Sequence, residues 1–148
     1  MLMPTGAKLT GAIWFFGVGY LAAVFVLDTF PPETPARFFP LSIALIGLWQ
    51  GWYVAGGNAG LGMGAAIGNG VRTSVQIAFF GLLIFALRTM FLRSANLRYD
   101  GPGEAAIAAL DLFLEYALQS LTAPVWGTLI LGGILGGIVV ERAWRTWR

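Results

Sequence analysis

The amino-acid sequence predicts an all-α integral membrane protein, with four hydrophobic transmembrane helices and an acidic amphipathic helix over residues 104–121 as the candidate fifth span. Three observations carry this prediction. Of the 148 residues, 57% are hydrophobic and only 11% charged, whereas a soluble domain devotes about a quarter of its residues to charge. Uncharged apolar runs recur near the length of about 20 residues that a helix needs to cross a hydrocarbon core of about 30 Å. The nine Lys and Arg are grouped around those runs, which reads as orientation relative to a membrane and not as a nucleic-acid surface. Cys and His are absent, so disulfides, thiol redox centres, structural zinc sites and His-ligated haem or chlorophyll are not available. Oxygen-ligand metal sites stay open.

Residues 9–27 form the first span, 19 residues without a charge. The run is too long for a signal-peptide core, has only Lys8 before it, and is followed by VFVLDTF at 24–30 in place of a small-x-small cleavage site. It is therefore expected to stay as an anchor. Residues 28–38, DTFPPETPARF, make a rigid proline-rich turn. The second span follows at 39–55. Residues 56–72, GGNAGLGMGAAIGNGVR, read as a Gly-rich connection ordered by its neighbours, with an Asn-Gly step favouring a turn at its end. The third span, 73–87, is bounded by Arg72 and Arg88 and can borrow Met90 and Phe91. The last covers 124–140. Too little chain remains outside these spans for a second core, so one polytopic domain is expected over 1–148.

Residues 104–121, EAAIAALDLFLEYALQSL, hold strong helix formers and neither Gly nor Pro. Glu104, Asp111 and Glu115 are spaced by seven and four, which places the three acids on one narrow stripe continued by Gln119. Such a helix either lies flat with its acids among headgroups or spans with them turned toward partners or a wet cavity. Hydrophobicity leans toward the flat helix, because an acid at the bilayer centre costs about 2.5–3.5 kcal/mol against about 0.3–0.6 gained per large aliphatic. Charge bias leans the other way. Five spans place Arg37, Arg88, Arg93, Arg98, Arg142, Arg145 and Arg148 on one side and only Lys8 and Arg72 on the other, whereas four spans split the nine cations almost evenly.

Glycines recur at helical spacing: Gly47 with Gly51, Gly132 with Gly136, and Gly133 with Gly137. Bare stripes let helix backbones approach closely, which matters in lipid because apolar helices gain nothing by leaving it. These six are the candidate helix-packing residues, for partners inside the chain or outside it. Aromatic residues collect near span ends, as at Phe38, Phe39, Trp52, Tyr53 and Trp126. In the tail, Trp144 and Trp147 alternate with Arg142, Arg145 and Arg148, a pattern of headgroup-level anchors. Three arginines are too few for nucleic-acid binding. The acid stripe alone resembles chemistry: Asp111 and Glu115 at i, i+4 suit a cation or a proton if water reaches them, yet two carboxylates are an incomplete magnesium or calcium site. No nucleophile, base and orienter come together by spacing and no phosphate-binding fingerprint exists, so neither enzyme activity nor a resident cofactor is expected.

Several short blocks carry a family resemblance. Met3-Pro4-Thr5-Gly6-Ala7-Lys8-Leu9, Gly51-Trp52-Tyr53-Val54, Arg98-Tyr99-Asp100-Gly101-Pro102 with Glu104-Ala105, Glu115-Tyr116, Thr122-x-Pro124, Gly127-Thr128-Leu129 and Gly132-Gly133 resemble the TrgA family. These are small membrane proteins of alphaproteobacteria linked to tellurite resistance. The resemblance implies a multi-pass protein of the bacterial inner membrane and a translation start at Met3, and it transfers no catalytic residue. Tellurite reduction draws electrons through thiol, flavin or haem, and this chain has neither thiol nor imidazole. An acidic stripe also argues against export of an oxyanion. The leading expectation is a non-catalytic accessory subunit packing against a larger photosynthetic or respiratory complex, touching lipid or pigment without a His ligand. The alternative is a cation or proton-coupled transporter using Asp111 and Glu115.

Overall fold

In the computed structural model, residues 5–33 and 36–147 are described, and among them every regular element is helical. Helix α1 spans Gly6–Leu27, α2 spans Phe39–Gln50 and continues as a π-helical segment Gly51–Ala55, α3 spans Met63–Ala95, α4 spans Pro102–Gln119 and α5 spans Ala123–Thr146. Local chemistry sets the starts. The Thr5 side chain accepts the Lys8 N–H at 3.4 Å ahead of α1, and Pro40, Pro102 and Pro124 each sit at the first or second position of a helix, where a missing N–H costs nothing. Three helices, α1, α3 and α5, are long and apolar enough to cross a membrane, and Phe39–Ala55 is a shorter apolar helix. Leu9, Ile13, Leu45, Phe79, Ile130 and Leu131 stand exposed on the outside, the arrangement suited to a membrane protein whose solvent is lipid.

Glycine contacts fix the helix directions. α1 and α2 are antiparallel, with Gly11 against Gly51, the Phe15 carbonyl against Gly47, and Gly19 against Ile43, where an added Cβ would stand 2.8 Å from the carbonyl oxygen. The Gly56 N–H donates to the Gly51 carbonyl at 2.8 Å, closing the widened π turn that follows this contact. α5 runs antiparallel to both α1 and α3. Its Gly133 and Gly137 lie against Gly70 and Ala66 of α3, while Gly132 and Gly136 receive Val18 and Trp14 of α1. The Trp14 indole N–H donates to the Gly132 carbonyl at 2.9 Å. α5 thus fills the space between α1 and α3, which scarcely touch one another.

Two boundaries differ from the sequence reading. Helix α3 begins at Met63, ten residues before the expected span, and the connection shrinks to residues 56–62. The Gly-rich stretch is helical because Ala66 and Gly70 present so little side chain that the α5 backbone packs directly on them, and this packing outweighs poor intrinsic propensity. Helix α5 likewise continues past Val140 to Thr146, carrying Glu141 into the interior.

The path through α4 is set by short connections. α3 ends, and α5 begins, at the end of the bundle away from Gly6, because α5 returns antiparallel until Trp147 covers Gly6. Residues 96–101 join α3 to α4, and so short a connection reaches at most about 25 Å, roughly half the length of 33-residue α3. α4 therefore starts in the half of the bundle away from Gly6 and finishes there, where α5 begins. Only Leu112 of α4 is buried. An aromatic cluster closes this end: Phe30 stacks on Phe85 with centroids 5.5 Å apart, Phe39 meets Phe85 edge-on at 4.8 Å, and Tyr116 lies 4.9 Å from Phe85. The Tyr116 hydroxyl donates to Thr89 Oγ1 at 3.2 Å, fastening α4 to α3.

Candidate functional site

The six expected packing glycines all face the inside of the chain. Gly47 and Gly51 are spent on α1, Gly133 and Gly137 on α3, and Gly132 and Gly136 on the side chains of Val18, Trp14 and Phe15. Two other glycines behave differently. A Cβ added at Gly17 of α1 or Gly127 of α5 would meet nothing within 4 Å. Both line an open groove of about 530 Å³ between these helices, with Ile13, Trp14, Leu21 and Leu131 as its larger walls.

A second opening, about 320 Å³, lies between α2 and α3 at the aromatic-cluster end. Phe39, Ile43, Ile46 and Phe85 form its walls, and Arg37 and Arg88 stand at its edges with Ser42. The Arg37 guanidinium rests 5.6 Å above the Phe38 ring. An adjoining cleft of about 270 Å³ shares Phe85 and Arg88 and adds Glu33, Thr89, Arg93 and Tyr116. Arg37 precedes α2, and Arg88 ends the uncharged run of α3, so both guanidinium groups fall where apolar sequence gives way to polar.

The opposite end carries a buried carboxylate that the sequence reading overlooked, since the expected span stopped at Val140. Glu141 is 1% exposed, accepts the Gly60 N–H at 2.7 Å through Oε2, and pairs through Oε1 with Arg145 at 3.4 Å. Gly60 takes a φ of 93°, and a Cβ there would strike Trp144. The carboxylate thus holds the 56–62 connection against α5, and a charge-assisted bond to a backbone donor suits a loop whose amide has no helical partner. The i, i+4 spacing of Glu141 and Arg145 was the available signal.

The two tail tryptophans differ in their surroundings. Trp144 packs on the core and on Gly60, whereas Trp147 touches Gly6 and stays 62% exposed, and Arg142 and Arg145 are exposed at the surface; Arg148 lies outside the described residues. Trp126 turns inward, with its indole N–H buried and without a partner among the described residues. Trp52 is half-buried, and Tyr53 is exposed beside Trp49 at 6.1 Å. Glu104, Asp111 and Glu115 are exposed on α4. Glu104 caps its own helix by accepting the Asp100 N–H at 2.9 Å, and Glu115 accepts Gln119 at 3.4 Å. None of the three lines a cleft described above, and among the described residues no three carboxylates gather closely enough to hold a metal ion. Searches against protein-family models, curated proteins and solved structures find nothing that matches the chain.

Proposed function

We propose that the chain is a TrgA-like, non-catalytic protein of a bacterial inner membrane that serves as a small accessory subunit of a larger energy-converting complex, photosynthetic or respiratory. The observation that carries this reading is the unfilled groove between α1 and α5. Every other glycine of α1, α2 and α5 meets a backbone or a side chain, yet Gly17 and Gly127 face open space between bulky apolar walls. In lipid, close van der Waals packing is what draws helices together, and a smooth groove flanked by Ile13 and Leu131 offers that packing to a helix of another chain.

Four crossings fit the helix directions: α1, Phe39–Ala55, the apolar part of α3, and α5, with α4 lying at the surface on its acidic stripe. An effect on tellurite tolerance would be indirect, through the electron-carrying membrane that meets the oxyanion. The test is affinity purification from native membranes in mild detergent. The wild-type chain should bring a larger complex with it, and Gly17→Leu together with Gly127→Leu should release that complex while leaving the monomer folded. Migration of the wild type only as a monomer or homo-oligomer refutes the reading.

A further inference from the structure

We infer that the cleft between α2 and α3 is a binding site for an anionic phospholipid, with its phosphate between Arg37 and Arg88 and an acyl chain against Ile43, Ile46 and Phe85. The inference rests on the membrane reading above and not on the proposed partner complex. Two features of the cleft point to one amphiphile. Its walls are almost wholly aliphatic and aromatic, a surface suited to hydrocarbon. Its edges hold two guanidinium groups, both exposed and both at the boundary where an uncharged helical run ends, which is the depth at which lipid phosphates lie.

Charge complementarity selects the headgroup. Arg37, Arg88 and Arg93 surround this cleft and its neighbour, against the single carboxylate of Glu33. Guanidinium groups present planar pairs of donors that match phosphate oxygens, and basic pockets between transmembrane helices favour anionic over zwitterionic headgroups. The Phe38 ring beneath the Arg37 guanidinium helps to hold it at the mouth. Ser42 does not compete for the phosphate, because its hydroxyl already donates to the Phe38 carbonyl at 2.8 Å.

The experiment reconstitutes the full chain into phosphatidylcholine vesicles and measures, by electron paramagnetic resonance, the immobilised fraction of spin-labelled phosphatidylglycerol against spin-labelled phosphatidylcholine. The wild type should immobilise the anionic lipid preferentially. Arg37→Gln with Arg88→Gln should weaken the specific class roughly 30-fold, from about fivefold for each cation near an anionic surface, whereas Arg72→Gln with Arg142→Gln should leave it unchanged. Ile46→Trp fills the cleft without touching the arginines and should also expel the lipid; it decides the matter if the double arginine variant fails to fold. Soluble glycerol phosphate should not displace the lipid. Equal preference in wild type and cleft variants, an equal loss in the remote variant, or displacement by glycerol phosphate overturns the site. A chain that does not enter the vesicles overturns the membrane reading as well.

Discussion

Gly68 and Gly70 lie two residues apart on α3, and replacing each with alanine should move stability in opposite directions. At Gly68 a Cβ meets nothing within 4 Å, so only the intrinsic preference of Ala over Gly in a helix acts, a gain of about 1 kcal/mol. At Gly70 the same methyl overlaps the Gly133 carbonyl and stands 2.8 Å from the Gly137 nitrogen, inside the 3.4 Å at which ordinary contact begins. Both obstacles are backbone, so relief requires α3 and α5 to separate. That separation would also loosen Gly137 from Ala66. Overpacking of this kind costs about 1–3 kcal/mol; with backbone on both sides the upper part of that range, about 2–3 kcal/mol, applies, and after the propensity gain the net loss should be about 1–2 kcal/mol. Reversible unfolding of the detergent-solubilised protein, followed by circular dichroism, measures both variants against wild type. If Gly70→Ala is as stable as Gly68→Ala, the backbone contact between α3 and α5 is wrong.

Three further outcomes are expected. Glu141→Ala leaves the partly buried Gly60 N–H without its acceptor, a cost of about 1–2 kcal/mol, and should speed hydrogen exchange across residues 56–62, whereas Glu141→Gln keeps an acceptor oxygen there and should recover most of the protection. Single cysteines placed at Leu97, which is 92% exposed, and at Arg142 should react with impermeant reagents added to opposite faces of the membrane, since they lie at opposite ends of the bundle; labelling of both from one face would establish a fifth crossing. Asp111→Asn with Glu115→Gln should shift the unfolding midpoint by no more than an exposed surface change does, within about 0.5 kcal/mol, and a larger destabilisation would show that the acids serve the fold.

The helices were legible where hydrophobicity and local signals agree. The second apolar run, 39–55, coincides with α2 and its π-helical continuation, and α1 ends at Leu27 as its charge boundary indicates. The start of α3 was not legible, because a stretch such as GAAIGNGVR has low helical preference alone and becomes helical only against Gly133 and Gly137, more than sixty residues away in sequence. Glycine spacing identified which faces of α2 and α5 are bare but not what fills them. The partners of Gly47 and Gly51 are Phe15 and Gly11, and nothing in the local pattern of α1 distinguishes them from other small or apolar residues. Charge counting favours a fifth crossing, and it has no access to the backbone contacts of α5 with α1 and α3, which set the helix directions. Trp144 looks like a headgroup anchor in the sequence and packs on the core in the fold, whereas Trp147 stays exposed. Indole suits an interface and also suits the cover of a glycine, and only the fold chooses between these uses.

The position of α5 has a consequence for biosynthesis. The helix that joins α1 to α3 is made after both, so the first 122 residues emerge with vacant slots at Ala66, Gly70 and Val18. A nascent chain arrested there would display those slots to insertases and membrane proteases, while a separately supplied segment beginning at Ala123 should restore a native-like bundle by complementation. Native packing of α1 against α3 in this way waits until α5 has been made.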